Sequence, residues 1–290
     1  MSSITATERA QVEAANASGR RIVLLVHGLW AIAPGWAPWR EFLDERGFAT
    51  VALEWPGEPP TFEQALAHPE AVAGVGVTDV TDHAAEVIGA LERAPGIVGH
   101  SFGGLITHRL AGMGLAGASV GVSPAPFRGA FGLRWSVVRG GAPVLANPLN
   151  IRRSVRLSYP QFRYSWANQL IESEARHLWE TEHVACPGRP LFEAVAGQAF
   201  PVRAATADWR HPDRGPMLLI GSATDRLVPL GVVRNEYARQ RGNPHPTSLV
   251  DVPGRGHSLT IDRGWPEIAR IAADFLDTHL ASREGSPRQG

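Results

Sequence analysis

The chain is predicted to be an α/β protein, a mostly parallel, doubly wound sheet with a helical cap inserted in its second half. Three observations predict it. From Arg21 onward short apolar runs alternate with longer amphipathic segments, the rhythm of parallel βα units rather than of an all-β or all-α chain. The pentapeptide Gly99-His100-Ser101-Phe102-Gly103 stands between an apolar run and a helix-like stretch, the setting of a sharp strand-to-helix turn. From about residue 126 to residue 210 the alternation stops and Trp, Arg, Pro and Tyr accumulate, as in an insertion.

Element by element, residues 1–20 are polar and alanine-rich and are expected to be a flexible N-terminal segment. The first part of the core is expected over residues 21–125. Residues 22–26 read as a buried strand ending at His27-Gly28, followed by a Trp- and Pro-rich loop and a helix over 38–46 that Gly47 closes. Residues 50–53 read as the next strand, and a long loop with Pro56, Pro59, Pro60 and Pro69 leads to a helix over 80–93. The strand at 96–98 precedes the turn, a helix at 102–111 follows it, and a strand at 118–122 ends at Ser123-Pro124. The cap is expected over 126–210, helical at 172–183 and 191–196. The core resumes over 211–280 with strands at 217–220 and 248–252, a helix at 232–240 between them and an amphipathic helix at 266–279. Residues 281–290 are expected to be a disordered tail.

Composition narrows the classes of partner. Lys plus Arg (28) equal Asp plus Glu (28), so no net field favours nucleic acid or a membrane surface, and a small, mostly uncharged molecule is the expected partner. At 290 residues the chain can bury a core without oligomerising, which leaves its oligomeric state open. Cys186, the only cysteine, excludes an intramolecular disulfide; before Pro187-Gly188 it is expected to be an apolar filler. The N-terminus lacks a basic-then-apolar signal and no stretch approaches the about 18 apolar residues of a membrane span. A cytoplasmic protein is expected.

A serine hydroxyl is a weak nucleophile, so Ser101 needs a base within hydrogen-bond reach and that base needs an orienting carboxylate. In doubly wound sheets functional groups collect at the carboxyl ends of strands, which directs attention to the loops after 217–220 and 248–252. The first offers Asp225 in Asp-Arg-Leu-Val-Pro, the second His257 in Gly-Arg-Gly-His. Asp208 and Asp213 precede the strand and Asp251 falls inside one, so Asp225 is the preferred acid.

With His27-Gly28-Leu29-Trp30 after the first strand, Gly-His-Ser-Phe-Gly-Gly at the turn, and the acid and histidine loops in the order Ser, Asp, His, the chain resembles a capped serine esterase or lipase of the α/β-hydrolase superfamily. The resemblance implies Ser101 as nucleophile, His257 as general base then acid, Asp225 as its orienting partner, and the backbone N–H groups of Leu29 and Phe102 as the oxyanion hole. It implies no cofactor and no metal. Because little sequence precedes Ile22, the superfamily's first antiparallel strands are expected to be missing or rudimentary.

The function expected is a serine hydrolase that cleaves a carboxylic ester or lactone of a mainly apolar small molecule through an acyl-enzyme. A thioesterase, acyltransferase, carbon–carbon bond hydrolase or perhydrolase would share these residues. Ser258-Leu259 lacks the tryptophan often found after the histidine in carbon–carbon hydrolases, and a serine at the turn argues against dehalogenases and epoxide hydrolases. A small-molecule receptor of the same fold is the reading from another class. Trp30, Trp135, Trp166 and Trp179 are the expected substrate-binding aromatics. His27 and His100 read as shaping residues rather than proton carriers. Glu174-x-x-His177 and Glu180-x-x-His183 have a spacing used in di-iron bundles, but the two histidines point to different faces of one helix. Arg152, Arg153 and Arg156 are expected to be solvated rather than to draw in an anionic substrate.

Overall fold

Alternate residues of strand β1 (Arg21–Val26) enter different cores: Ile22, Leu24 and Val26 join one buried cluster, Val23 and Leu25 another. A strand apolar on both faces needs cover on both, which a parallel sheet obtains from its crossover helices. The computed structural model describes residues 4–130, 132 and 134–280 and has this layering. In chain order the first half is α1 (Ala6–Ala17), β1, α2 (Ala37–Glu45), β2 (Phe48–Leu53), α3 (Phe62–Ala67), α4 (Val77–Gly89), β3 (Gly96–His100), α5 (Phe102–Ala111) and β4 (Ala118–Val122). Between β4 and the next strand of that sheet the chain forms α6 (Trp135–Leu145), β5 (Ser154–Val155), α7 (Tyr159–Ser165), α8 (Glu172–Thr181), β6 (Cys186–Pro187) and α9 (Arg189–Ala199). The chain then completes β7 (Met217–Gly221), α10 (Leu230–Gln240), β8 (Thr247–Asp251) and α11 (Trp265–Leu280).

Six strands pair in the order β2-β1-β3-β4-β7-β8, every pair parallel. α1, α4, α5 and α10 pack on one face, while Trp39 and Leu43 of α2 and Ile268, Ala272 and Leu276 of α11 pack on the other. The register aligns the carboxyl ends: Val26 opposite Gly99, His100 opposite Val122, and Gly221 opposite Asp251. From β1 the chain runs outward to β2 and then returns to β3 on the other side. The crevice between β1 and β3 is therefore the switch point of the sheet, where this class of fold presents ligand sites.

Within the segment expected to be flexible, residues 6–17 form α1. Thr5 Oγ1 accepts the Glu8 N–H (3.1 Å) while Glu8 Oε2 accepts the Thr5 N–H (3.0 Å), a reciprocal cap. Glu8 is fully buried, its Oε1 2.9 Å from His83 Nε2 and accepting the Glu54 N–H at 3.0 Å, and Val12 and Ala15 enter the core. α4 starts three residues earlier than expected because Asp79 accepts the Gly76 N–H and fixes the first turn there. The expected tail, 281–290, lies outside the described residues. No described helix is long and apolar enough to cross a membrane.

Candidate active site

Ser101 links β3 to α5 with φ 54° and ψ −118°, in the positive-φ region that side chains rarely adopt. Its neighbours allow the turn because they are glycines. A Cβ on Gly103 would lie 2.0 Å from the Val26 carbonyl oxygen, one on Gly99 2.2 Å from that of Gly103, and one on Gly28 2.8 Å from Ser101 Cβ. Ser101 is pinned by its own backbone: its N–H donates to Val122 O (3.0 Å) and its carbonyl accepts from Ala125 N (2.8 Å). Strain of about 1–3 kcal/mol is held in place by this packing.

The Ser101 hydroxyl donates to His257 Nε2 (3.0 Å), and the His257 Nδ1–H donates to Asp225 Oδ2 (2.8 Å). The other Asp225 oxygen accepts the N–H groups of Leu227 (2.8 Å) and Val228 (2.9 Å), so the carboxylate is held in one orientation by the loop after β7. All three side chains are buried, His257 completely. His100 sits beside His257 with ring centroids 4.8 Å apart and donates its Nε2–H to the His257 carbonyl (2.9 Å). Burial first, and the neighbouring His257 second, push the His100 pKa well below the usual range, so His100 stays neutral and acts as a brace.

The loop after β1 lies against the turn. Neither the Leu29 nor the Phe102 N–H donates to a protein acceptor among the described residues, and Trp30 in the same loop has φ 63°. Sequence reasoning missed what holds this loop. Glu58, from the proline-rich loop after β2, accepts the Ala33 N–H at Oε1 (2.6 Å) and the Trp55 N–H at Oε2 (3.2 Å), and its Oε2 lies 2.7 Å from His27 Nε2. The Gly28 carbonyl can only accept, so His27 Nδ1, 2.8 Å away, carries a proton; the short Glu58 contact then requires another. This buried pair clamps both ends of the stretch that contains Leu29. Nothing in the sequence near Glu58 marks it except its place before Pro59-Pro60.

The four tryptophans separate. Trp166, at the end of α7, meets His257 edge-on at 4.8 Å and His100 at 5.5 Å. Trp30 is buried and donates its indole N–H to Val155 O (3.0 Å) on β5. Trp179 packs on Tyr159 and Arg156 and donates to Leu157 O (3.0 Å), and Trp135 is 76 % exposed at the start of α6. Two adjoining clefts share His27, Ala31 and Ile32. Trp30 and Glu58 line the first, Trp36, Trp166 and Ile261 the second; Trp135 and Trp179 line neither. Cys186 lines the first cleft as a buried thiol whose pKa desolvation pushes well up, which leaves it inert. Of the E-x-x-H pairs, Glu174 accepts the Arg263 N–H and His177 is exposed, while His183 is buried against Phe162 and Trp30.

The fold recurs among solved structures of low sequence identity. A monoacylglycerol lipase from Paleococcus ferrophilus superposes with a TM-score of 0.63 at 20 % identity, covering 89 % of this chain and 94 % of that one. A pyrethroid hydrolase from Sphingobium faniae JZ-2 superposes with a TM-score of 0.62 at 17 % identity, covering 90 % and 99 %. No curated protein matches by sequence. The alpha/beta hydrolase family model matches residues 23–282, from the first strand of the sheet through its last helix, and the chain belongs to that family.

Proposed function

We propose that the protein is a serine hydrolase that cleaves a carboxylic ester or lactone of a mainly apolar small molecule through an acyl-enzyme. The observation that carries this reading is the unbroken relay from Ser101 Oγ to His257 Nε2 (3.0 Å) and from His257 Nδ1 to Asp225 (2.8 Å). The likeness to a monoacylglycerol lipase and a pyrethroid hydrolase supports an ester substrate.

As Ser101 Oγ bonds to the carbonyl carbon, its proton passes to His257 Nε2. Asp225 stays ionised, holds the Nδ1–H tautomer and stabilises the imidazolium. The oxyanion of the tetrahedral intermediate is received by the Leu29 and Phe102 N–H groups, each worth roughly 3 kcal/mol in the transition state. The imidazolium then protonates the departing alcohol. Water, deprotonated by His257, releases the acid and restores Ser101. The insertion serves as the cap, Trp166 covering the His257 ring, and the apolar walls at Ile32, Trp36 and Ile261 suit an apolar acyl or alcohol group.

Ser101→Ala should lower turnover of short activated esters by roughly 10⁴-fold or more while leaving the unfolding midpoint in place. Near-full activity in that variant would overturn the mechanism.

A further inference from the structure

The chain balances 28 basic against 28 acidic residues, yet the two signs are segregated along it. No aspartate or glutamate lies between Glu92 and Glu172, and residues 127–171 alone carry seven arginines. That basic block builds the first half of the insertion, through α6 and α7.

α6 adds a second anomaly. Its inner face is Gly140, Gly141 and Val144, with a Cβ on Gly140 only 2.6 Å from Leu227. Its outer face, spaced i, i+3, i+7, is Trp135, Val138 and Ala142, all exposed. A surface helix ordinarily turns polar residues outward; on this one Arg139, laid over the Tyr164 ring at 3.9 Å, is the only exposed charged residue beside the apolar row. The 3-10 turn Pro148–Arg152 packs on α6 and α9 and adds Leu149, 61 % exposed, and Ile151. Of nine exposed large apolar side chains among the described residues, seven fall between Trp135 and Phe200. Arg134, Arg152 and Arg153 stand beside them, exposed and in no ion pair among the described residues.

We propose that this face of the insertion docks on an anionic lipid surface, with Trp135, Val138, Leu149 and Ile151 entering the boundary between headgroups and acyl chains and the arginines meeting lipid phosphates. An apolar patch alone would equally suit a second copy of the chain. A two-fold contact, however, would set the same unpaired arginines of both copies against one another. An anionic bilayer complements both features, taking the apolar stripe roughly 5–10 Å deep and gaining about fivefold in partitioning per arginine. Docking at this face is independent of the ester chemistry.

The test is co-sedimentation of the full chain with phosphatidylcholine vesicles made with and without phosphatidylglycerol, at low and high salt. The protein should bind the phosphatidylglycerol vesicles and release as salt rises. Arg152→Glu with Arg153→Glu should lower the apparent partition coefficient by at least about 25-fold, two arginines at about fivefold each. Leu149→Glu should weaken binding to the same vesicles, and unfolding midpoints near wild type would show that both variants fold. Equal binding to both vesicle types, no binding at low salt, or indifference to the arginine reversals would each overturn the proposal. So would self-association in analytical ultracentrifugation that Leu149→Glu abolishes, since the face would then belong to a second copy.

Discussion

Replacing Glu58 with alanine should damage catalysis without touching a reacting side chain. The carboxylate is about as buried as the strands around it, 2 % exposed, and holds Ala33 N, Trp55 N and His27 Nε2 at 2.6, 3.2 and 2.7 Å. Removing it strands two backbone donors and breaks a buried pair, a loss of about 3–5 kcal/mol. In a chain of this size that lowers the unfolding midpoint by roughly 5–8 °C. The catalytic effect runs through Leu29, which lies between His27 and Ala33 in a loop already strained at Trp30. On the proposed role of the Leu29 N–H, its ceiling is the loss of one oxyanion donor, about 10²–10³ in kcat. A partly displaced N–H places Glu58→Ala at about 10–100-fold below wild type in kcat, with KM little changed. Glu58→Gln should recover most of both losses, because its carbonyl can accept the Ala33 N–H and its amide can donate to a neutral His27. Steady-state kinetics on a short activated ester, alongside thermal unfolding, measures both quantities. A Glu58→Ala enzyme with kcat within about twofold of wild type would refute the clamp.

Trp166→Ala removes a buried ring that covers His257 and should cost about 3–5 kcal/mol, while raising the rate of labelling by bulky relative to small fluorophosphonates; an unchanged ratio of the two labelling rates would mean that Trp166 does not gate the serine. Glu236 on α10 is fully buried, and desolvation, outweighing the Phe127 backbone N–H that favours the charged form, pushes its pKa well above the ordinary value. Because the folded pKa is raised, the stability it supports is complete below the unfolded carboxylate pKa and is lost as pH rises through the folded pKa. Its neighbour His108, 3.5 Å away, is pushed down to about 3, by burial first and then by Arg214, and so offers no compensating charge near neutrality. Glu236→Gln should therefore gain on wild type in unfolding midpoint as pH is raised from acid to alkaline conditions, and a difference that stays flat with pH would contradict this.

The sheet was legible because its strands announce themselves. Residues 22–26, 96–98 and 217–220 are short apolar runs bounded by Gly, His or Ser, and parallel pairing buries them on both faces. Ser101, Asp225 and His257 stand out for the same reason, since each follows a strand and the register brings the strand ends together. Glu58 could not be found this way, because its partner His27 lies 31 positions away across a loop without periodicity. α1 was missed although its signal was present: Thr5-x-x-Glu8 is a capping box, hidden in a stretch whose polarity suggested disorder. α6 was not among the expected cap helices; it contains Gly140, Gly141 and Pro143, residue types that weaken a helical pattern. Composition likewise could not say which tryptophan reaches the histidine; Trp166 meets His257 and Trp135 meets solvent because of how α6 and α7 pack, and that depends on contacts remote in sequence.

The most direct test of Ser101 as a nucleophile driven by His257 is mass spectrometry of the protein after reaction with a fluorophosphonate, with the modified peptide sequenced. One adduct on Ser101 is predicted, absent in Ser101→Ala and formed roughly 10³-fold more slowly in His257→Gln, which lacks the base. An adduct on another residue, or labelling of Ser101 at the wild-type rate in His257→Gln, would contradict it.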